Sequence, residues 1–123
     1  MVNLEGQSVK DGNFLTRFSQ NENMILMRVI SKRALREFWK NEPIAKQPLE
    51  DWYRSVKKAN WQTFAEIRET FRHVDVFRDC VIFDIGGNKY RLIAKVRYQR
   101  KKVFVRFVMS HFDYDKENWK SDC

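Results

Sequence analysis

The sequence has no long apolar run and contains few cysteines and histidines. No stretch approaches the roughly 18 apolar residues that a membrane-spanning helix needs, and the N-terminus lacks the pattern of a secretory signal. We therefore expect a soluble protein of the cytoplasm. Of the two cysteines, Cys80 lies in a predicted strand and Cys123 at the end of the sequence, which favours a reducing compartment over a disulfide scaffold. No cysteine or histidine pair has metal-ligand spacing, so we expect neither a metal ion nor another cofactor.

Negative charge is the scarcer kind in this chain. Lysine and arginine outnumber aspartate and glutamate by 24 to 16, which gives a net charge of +8. A polyanion is therefore a more natural partner than an acidic protein or a membrane. Charge of this kind provides attraction without sequence preference.

Length and composition predict one folded domain preceded by an arm. The 123 residues, 43% of them hydrophobic, are enough to close a single core. Residues 1–23 are rich in Asn, Gln and Ser with scattered apolar positions, and we interpret them as a flexible arm or an extension. They contain two basic and three acidic side chains, so the basic excess belongs to the domain at residues 24–123.

The apolar periodicity predicts an α+β fold. Its order is a strand at residues 25–30, helices beginning near Ser31, Pro48 and Thr63, a connection at 73–79, and strands at 80–85, 89–98 and 103–109. We expect the Ser31 hydroxyl to cap the first helix and Thr63 to open the third with a capping box. Gly86, Gly87 and Asn88 suit a tight hairpin between two strands. This order predicts an antiparallel meander with the helices on one face of the sheet.

The strand at 89–98 alternates between apolar and basic residues. Its even positions are Tyr, Leu, Ala, Val and Tyr, whereas basic side chains occupy most odd positions, at Lys89, Arg91, Lys95 and Arg97. Successive positions on that face lie about 6 to 7 Å apart, close to the phosphate repeat of an extended single strand. Arg106 on the next strand extends the face. A solvated strand face is the alternative, and the basic excess of the whole domain favours contact with a polyanion.

A second group of reactive side chains follows the last strand. His111 can accept and donate protons, and Tyr114 can stack on a base or donate a hydrogen bond to a phosphate. Asp113 and Asp115 lie beside them. In the structural alternative, His111 caps the following turn, Tyr114 packs on the sheet and the aspartates pair with basic side chains. His73 has no comparable neighbours, and we interpret it as a loop residue.

Two separated segments carry a family resemblance. The stretch Phe83–Ala94, containing Gly-Gly-Asn-Lys-Tyr-Arg, and the stretch Met109–Lys116, containing Ser-His-Phe-Asp-Tyr-Asp, resemble the HigB branch of the RelE-like toxins of bacterial type II toxin–antitoxin systems. The likeness covers roughly residues 24–119 and includes the order of strands and helices. The family usually has threonine where this chain has Ser110, and the serine keeps the hydroxyl.

The resemblance implies a small ribonuclease that cleaves messenger RNA in the ribosomal A site. It also implies a cognate antitoxin, typically a helix-turn-helix protein, that binds and silences the enzyme. Arg91 matches the arginine of the family's Asn-x-Tyr-Arg motif, and His111, Tyr114 and Asp115 match its C-terminal motif. The RNA-binding roles of Lys89, Lys95, Arg97 and Arg106 come from strand phase and not from the family.

The chemistry of such an enzyme follows from its substrate. RNA carries its own nucleophile, the 2′-hydroxyl, so cleavage requires removal of that proton, neutralisation of charge on the phosphate and stabilisation of the departing 5′ oxygen. We assign Arg91, with Lys89 or Lys95, to the phosphate. His111 and Tyr114 are candidates for proton transfer or base stacking, and Asp115 for orienting one of them or acting as the base. A noncatalytic basic RNA-binding or regulatory module, including an inactive toxin, is the alternative function.

Overall fold

The computed structural model describes residues 3–5, 7–8 and 25–123. Near the N-terminus, β1 (Asn3–Glu5) pairs antiparallel with β2 (Gln7–Ser8). The predicted flexible arm at residues 1–23 otherwise lies outside the described residues.

The domain consists of five strands, four α-helices and two 3-10 helices. In chain order these are β3 (Arg28–Ile30), α1 (Lys32–Asn41), a 3-10 helix (Pro43–Ala45), α2 (Lys46–Lys57), α3 (Phe64–Thr70), β4 (Asp75–Phe77), β5 (Cys80–Ile85), β6 (Tyr90–Arg97), β7 (Lys102–Ser110), α4 (His111–Asp115) and a 3-10 helix (Asn118–Asp122). None of the helices in this part of the chain has the length and apolar character of a membrane span.

The five strands form one mixed sheet in the order β3-β7-β6-β5-β4. Strands β4 to β7 make an antiparallel meander, and β3 joins its edge parallel to β7. The predicted α+β fold with a terminal meander is confirmed. The prediction that residues 73–79 form only a connection is wrong, because β4 pairs with β5 at the sheet edge. β4 has only three residues, and Val76 in it is 46% exposed, so no apolar pattern indicates this strand.

The local signals at the turns and helix starts are mostly confirmed. Gly86 and Gly87 have φ values of +64° and +71° in the β5–β6 hairpin, a conformation that glycine adopts without steric cost. The Thr63 hydroxyl accepts from the Glu66 N–H at 3.4 Å and caps α3. Ser31 stands at the N-cap of α1, but its side chain makes no cap hydrogen bond, so that part of the prediction is wrong.

The main core lies between α1–α3 and one face of the sheet. The apolar stripe of α2 buries Leu49, Trp52 and Val56 there. Phe83 of β5 is fully buried and makes edge-to-face contacts with Trp52 and Phe71, each with ring centroids 5.3 Å apart. The predicted apolar face of β6 points into this core at its alternate positions, which are Tyr90, Leu92, Ala94 and Val96.

A smaller apolar cluster covers the opposite face of the sheet. Cys80, Ile82 and Ile93 project from β5 and β6 on that side, and Trp119 packs on them from the C-terminal segment. We call residues 116–123 the C-terminal segment. A disulfide bond between Cys80 and Cys123 attaches this segment to β5. The expectation that the two cysteines are not disulfide partners is wrong, because the fold returns the end of the segment to the middle of the sheet.

Candidate active site

Arg91 is a buried cation at the centre of the candidate site. It is 8% exposed in β6 and lies opposite Asp84 of β5 in the strand register. Its Nε lies 3.2 Å from Asp84 Oδ1, and its Nη1 donates to the backbone oxygens of Asn88 and Tyr90. Its Nη2 donates to Asn88 Oδ1 at 2.6 Å. The β5–β6 hairpin therefore fixes the guanidinium in one orientation, because several hydrogen bonds restrain its planar fork.

The end of β7 brings the second group of side chains to Arg91. The Ser110 hydroxyl caps α4 by accepting from the Asp113 N–H at 3.1 Å. The backbone N–H of His111 donates to the Lys89 oxygen at 3.0 Å, which ties the start of α4 to the residue that precedes β6. Together these bonds direct α4 back across the end of the sheet.

Tyr114 lies against Arg91 in the folded chain. The Arg91 guanidinium carbon is 5.1 Å from the centre of the Tyr114 ring, within the range of a cation–π contact. His111 lies edge-on to the same ring, with ring centroids 6.5 Å apart. His111 Nδ1 is 3.1 Å from Asp115 Oδ2. The four residues predicted from the motifs, Arg91, His111, Tyr114 and Asp115, thus form one contiguous group.

The surroundings of Tyr114 favour its protonated form. Burial raises the pKa of the Tyr114 hydroxyl above its ordinary value of 10.0. The Arg91 guanidinium opposes this rise in pKa, whereas the carboxylates of Asp75, Asp84 and Asp115 add to it. Tyr114 therefore carries its proton at neutral pH and can donate a hydrogen bond.

The basic residues predicted from strand phase do not form one open row. Lys89 is exposed beside the site, and Arg97 is exposed at the far end of β6. Lys95 lies 3.6 Å from an Asp79 carboxylate oxygen and 4.0 Å from one of Asp122. Arg106 also binds Asp122. The C-terminal segment covers the middle of this face. Of the four basic residues, Lys89 is therefore the one that is exposed to solvent next to the motif residues.

Arg106 is engaged by the C-terminal segment. Its Nε and Nη2 donate to the two carboxylate oxygens of Asp122 at 2.7 and 2.9 Å. These bonds lower the pKa of the Asp122 carboxyl below its ordinary value, and Lys95 acts in the same direction. The pair fastens the C-terminal segment to β7.

Parts of the structural alternative for residues 111–115 also hold. Tyr114 packs on the smaller apolar cluster around Ile93 and Trp119. Lys116 Nζ lies 3.4 Å from Asp113 Oδ1. Ser110, and not His111, supplies the helix cap. His73 is an exposed loop residue as predicted. It borders a groove of about 520 Å³ whose other lining residues are Phe71, Arg72, Val74, Asp84, Gly87 and Asn88.

Three residues of the site were not predicted from the sequence. Asp84 could have been found, because it is the one acidic residue in an otherwise apolar strand and the hairpin register sets it opposite Arg91. Asn88 precedes Arg91 by three residues within the motif. Trp119, which stacks on Tyr114 with ring centroids 5.1 Å apart, follows a short helix and has no periodic signal. Within the described part of the chain, no group of three or more His, Cys, Asp or Glu residues could hold a metal ion.

The part of the chain that contains the four motif residues matches a known protein family. Residues 45–117 match the family described as HigB toxin, RelE-like toxic component of a toxin-antitoxin system. The matched segment is more than half of the chain and includes all four motif residues. The chain belongs to the HigB toxin family. The resemblance inferred from the two sequence motifs is thereby confirmed.

Individual HigB proteins are similar to this chain over most of their length. The chain is 32% identical over 93 residues to the mRNA interferase HigB of Escherichia coli O6:H1, an alignment covering 73% of this chain and 90% of that protein. It is 27% identical over 92 residues to the mRNA interferase toxin HigB of Escherichia coli K12 and to the mRNA interferase HigB of Shigella flexneri, covering 72% of this chain and 88% of each protein. The chain is therefore a member of a family of mRNA interferases, which are endoribonucleases.

Proposed function

We propose that this protein is a cytoplasmic toxin that cuts translated messenger RNA on the ribosome, and that a helix-turn-helix antitoxin binds and silences it. Family membership and the names of the relatives support the messenger as substrate. One observation carries the proposed site: Arg91, Tyr114, His111 and Asp115 are contiguous although they come from two separate segments.

The proposed reaction uses the 2′-hydroxyl of the message as the nucleophile. His111 accepts the proton of that hydroxyl through Nε2, because Nδ1 faces the Asp115 carboxylate at 3.1 Å. A carboxylate in this position orients an imidazole and fixes its tautomer. This arrangement favours Asp115 as the orienting group over Asp115 as the base. The acid–base groups of the chain and the nucleophile of the RNA supply the steps, so the proposed mechanism requires no metal ion.

We assign both Arg91 and Lys89 to neutralising the charge of the phosphate. The Arg91 guanidinium is held by Asp84 and Asn88, and its Nη2 carries a second N–H that we assign to a phosphate oxygen. Lys89 is exposed, and its backbone oxygen accepts a hydrogen bond from the His111 N–H. It is therefore a better second cation than Lys95, which faces Asp79 and Asp122. A preorganised cation stabilises the charge that develops in the transition state without reorganising.

Tyr114 serves as a donor in this mechanism. Tyr114 keeps its proton at the pH of the cytoplasm, and burial raises the pKa of its hydroxyl further. It can therefore donate a hydrogen bond to the phosphate or to the 5′ oxygen as the P–O5′ bond breaks, and water then protonates that oxygen. The ribosome presents the message in a fixed geometry, which allows a site with few acid–base groups to react at a useful rate.

Induction of the protein in bacteria tests the proposal. Wild type, the double variant Arg91→Ala with His111→Ala, and the control Arg33→Ala are expressed at matched soluble levels, and growth and new 5′ ends on messages are measured. Wild type and Arg33→Ala should arrest growth and cut inside reading frames, since the Arg33 side chain of α1 is 78% exposed and pairs with Glu37 of the same helix. The double variant should do neither.

A second condition tests dependence on translation. The same protein is incubated with naked message and with message on ribosomes in a reconstituted translation system. Cuts confined to translated message support the proposal. Equal cutting of naked RNA would contradict ribosome dependence, and the absence of cuts in either condition, with salt-sensitive RNA binding retained, would indicate the noncatalytic RNA-binding module.

A further inference from the structure

The C-terminal segment is held against the candidate site by three separate attachments. The Cys80–Cys123 disulfide bonds it to β5. Arg106 donates two hydrogen bonds to Asp122. The indole N–H of Trp119 donates to the Tyr114 backbone oxygen at 3.0 Å. These attachments to β5, β7 and α4 restrict the segment to one position over the smaller apolar cluster.

Trp119 contacts the motif tyrosine directly. The two rings are nearly parallel, with an interplanar angle of 7° and centroids 5.1 Å apart. Trp119 is only 4% exposed, and Phe77 of β4 packs edge-on against its ring with centroids 5.7 Å apart. A buried indole that is itself packed from another side is a rigid support for its neighbour.

The support continues from Tyr114 to the catalytic arginine. The Tyr114 ring lies 5.1 Å from the Arg91 guanidinium carbon, and Tyr114 occupies the five-residue helix α4. A helix of that length is not stable by itself and takes its position from tertiary contacts. The stack and the Trp119 hydrogen bond supply such contacts for both the ring and the backbone of Tyr114.

We propose that Trp119 is a positioning residue of the candidate active site, which acts by holding Tyr114 over Arg91. This inference rests on the proposed function. Trp119 lies beyond residues 45–117, the segment matched by the family. Nothing in that match therefore assigns Trp119 a role. It does not touch the phosphate or the reacting atoms and influences the reaction only through Tyr114.

The expected kinetic effect is a loss of rate without a loss of binding. Removing the indole in Trp119→Ala releases Tyr114, and a displacement of about 1 Å at a reacting group can lower a rate on the order of 100-fold. We expect kcat to fall 10- to 100-fold on the same grounds while KM is unchanged, because Lys89 and Arg91 still face the RNA. Trp119→Phe should recover much of the rate, since it restores the stack but not the hydrogen bond.

A double-mutant cycle on ribosome-bound message tests whether Trp119 affects the cleavage rate through Tyr114. Single-turnover cleavage is compared for wild type, Trp119→Ala, Tyr114→Ala and the combined variant, with folding checked by circular dichroism. If Trp119 acts through Tyr114, its removal has no further effect once Tyr114 is absent. Trp39→Ala is the matched control, because Trp39 is a half-buried tryptophan of α1 that packs against the main core.

The outcomes separate this inference from the proposed function. A wild-type rate in Trp119→Ala, or a full additional loss of rate in the combined variant, would overturn the positioning role while leaving the nuclease intact. If wild type cuts no message, the proposed function fails. The positioning role is then decided by NMR of ¹³C-labelled tyrosine, in which the Tyr114 ring signals, assigned with Tyr114→Phe, must shift in Trp119→Ala. Unchanged Tyr114 signals would overturn the inference.

Discussion

Breaking the Cys80–Cys123 bond should destabilise the whole domain by a large and calculable amount. The bond joins residues 43 positions apart in the chain. Closing a loop of that size restricts the unfolded chain, and the chain-entropy model gives a stabilisation of about 4 kcal/mol at 25 °C. With a urea m value of roughly 2 kcal/mol per M for a small domain, the unfolding midpoint should fall by about 2 M.

Urea unfolding of matched samples measures this effect. Wild type is compared in oxidised form, after reduction with a phosphine, and as Cys123→Ser, and a thiol assay reports the redox state of each sample. The reduced and Cys123→Ser proteins should unfold together at the lower midpoint, because neither contains the cross-link. Equal midpoints for oxidised and reduced wild type, or two free thiols in air-oxidised protein, would refute the reasoning.

Three further predictions concern single hydrogen-bonded groups. Ser110→Ala removes the cap of α4 and should cost about 1 kcal/mol, or a few degrees of thermal midpoint, whereas Ser110→Thr should match wild type; equal midpoints for the two variants would contradict the cap. Tyr90→Phe removes the 3.1 Å bond from the tyrosine hydroxyl to Glu42 and should cost about 1 kcal/mol in urea unfolding; unchanged stability would exclude a net contribution. Arg106 lowers the pKa of Asp122, so their bond stabilises the fold above the ordinary carboxyl pKa of 3.8. That stabilisation is lost as pH falls through the lowered value, and Arg106→Ala should flatten this acid-range dependence of the unfolding midpoint.

The fold was predictable wherever one face of an element is buried. The alternation along β6 identified its core positions, since a period of two persists when a strand packs on one side. The hairpin glycines and the Thr63 cap were predictable because each depends only on residues that are close together in the sequence. β4 was not predictable, since its three residues at the sheet edge bury too little to leave a pattern.

The candidate site was predictable in its members and not in its environment. The two motifs supplied Arg91, His111, Tyr114 and Asp115, but strand phase alone suggested an open cationic face. That face is partly covered because the chain returns over it after α4, and neither the stack of Trp119 on Tyr114 nor the disulfide has a local signature. Contacts between residues that are distant in sequence depend on the completed fold.

The parallel pairing of β3 with β7 has a consequence for the order in which this protein becomes competent during synthesis. β3 is the first strand of the sheet to be made, yet its partner β7 is the last. His111, Tyr114 and Trp119 follow β7 in the chain. A nascent chain that has emerged only as far as β6 therefore lacks the partner of its first strand and most of the candidate site. The order of synthesis keeps an unfinished toxin from assembling that site.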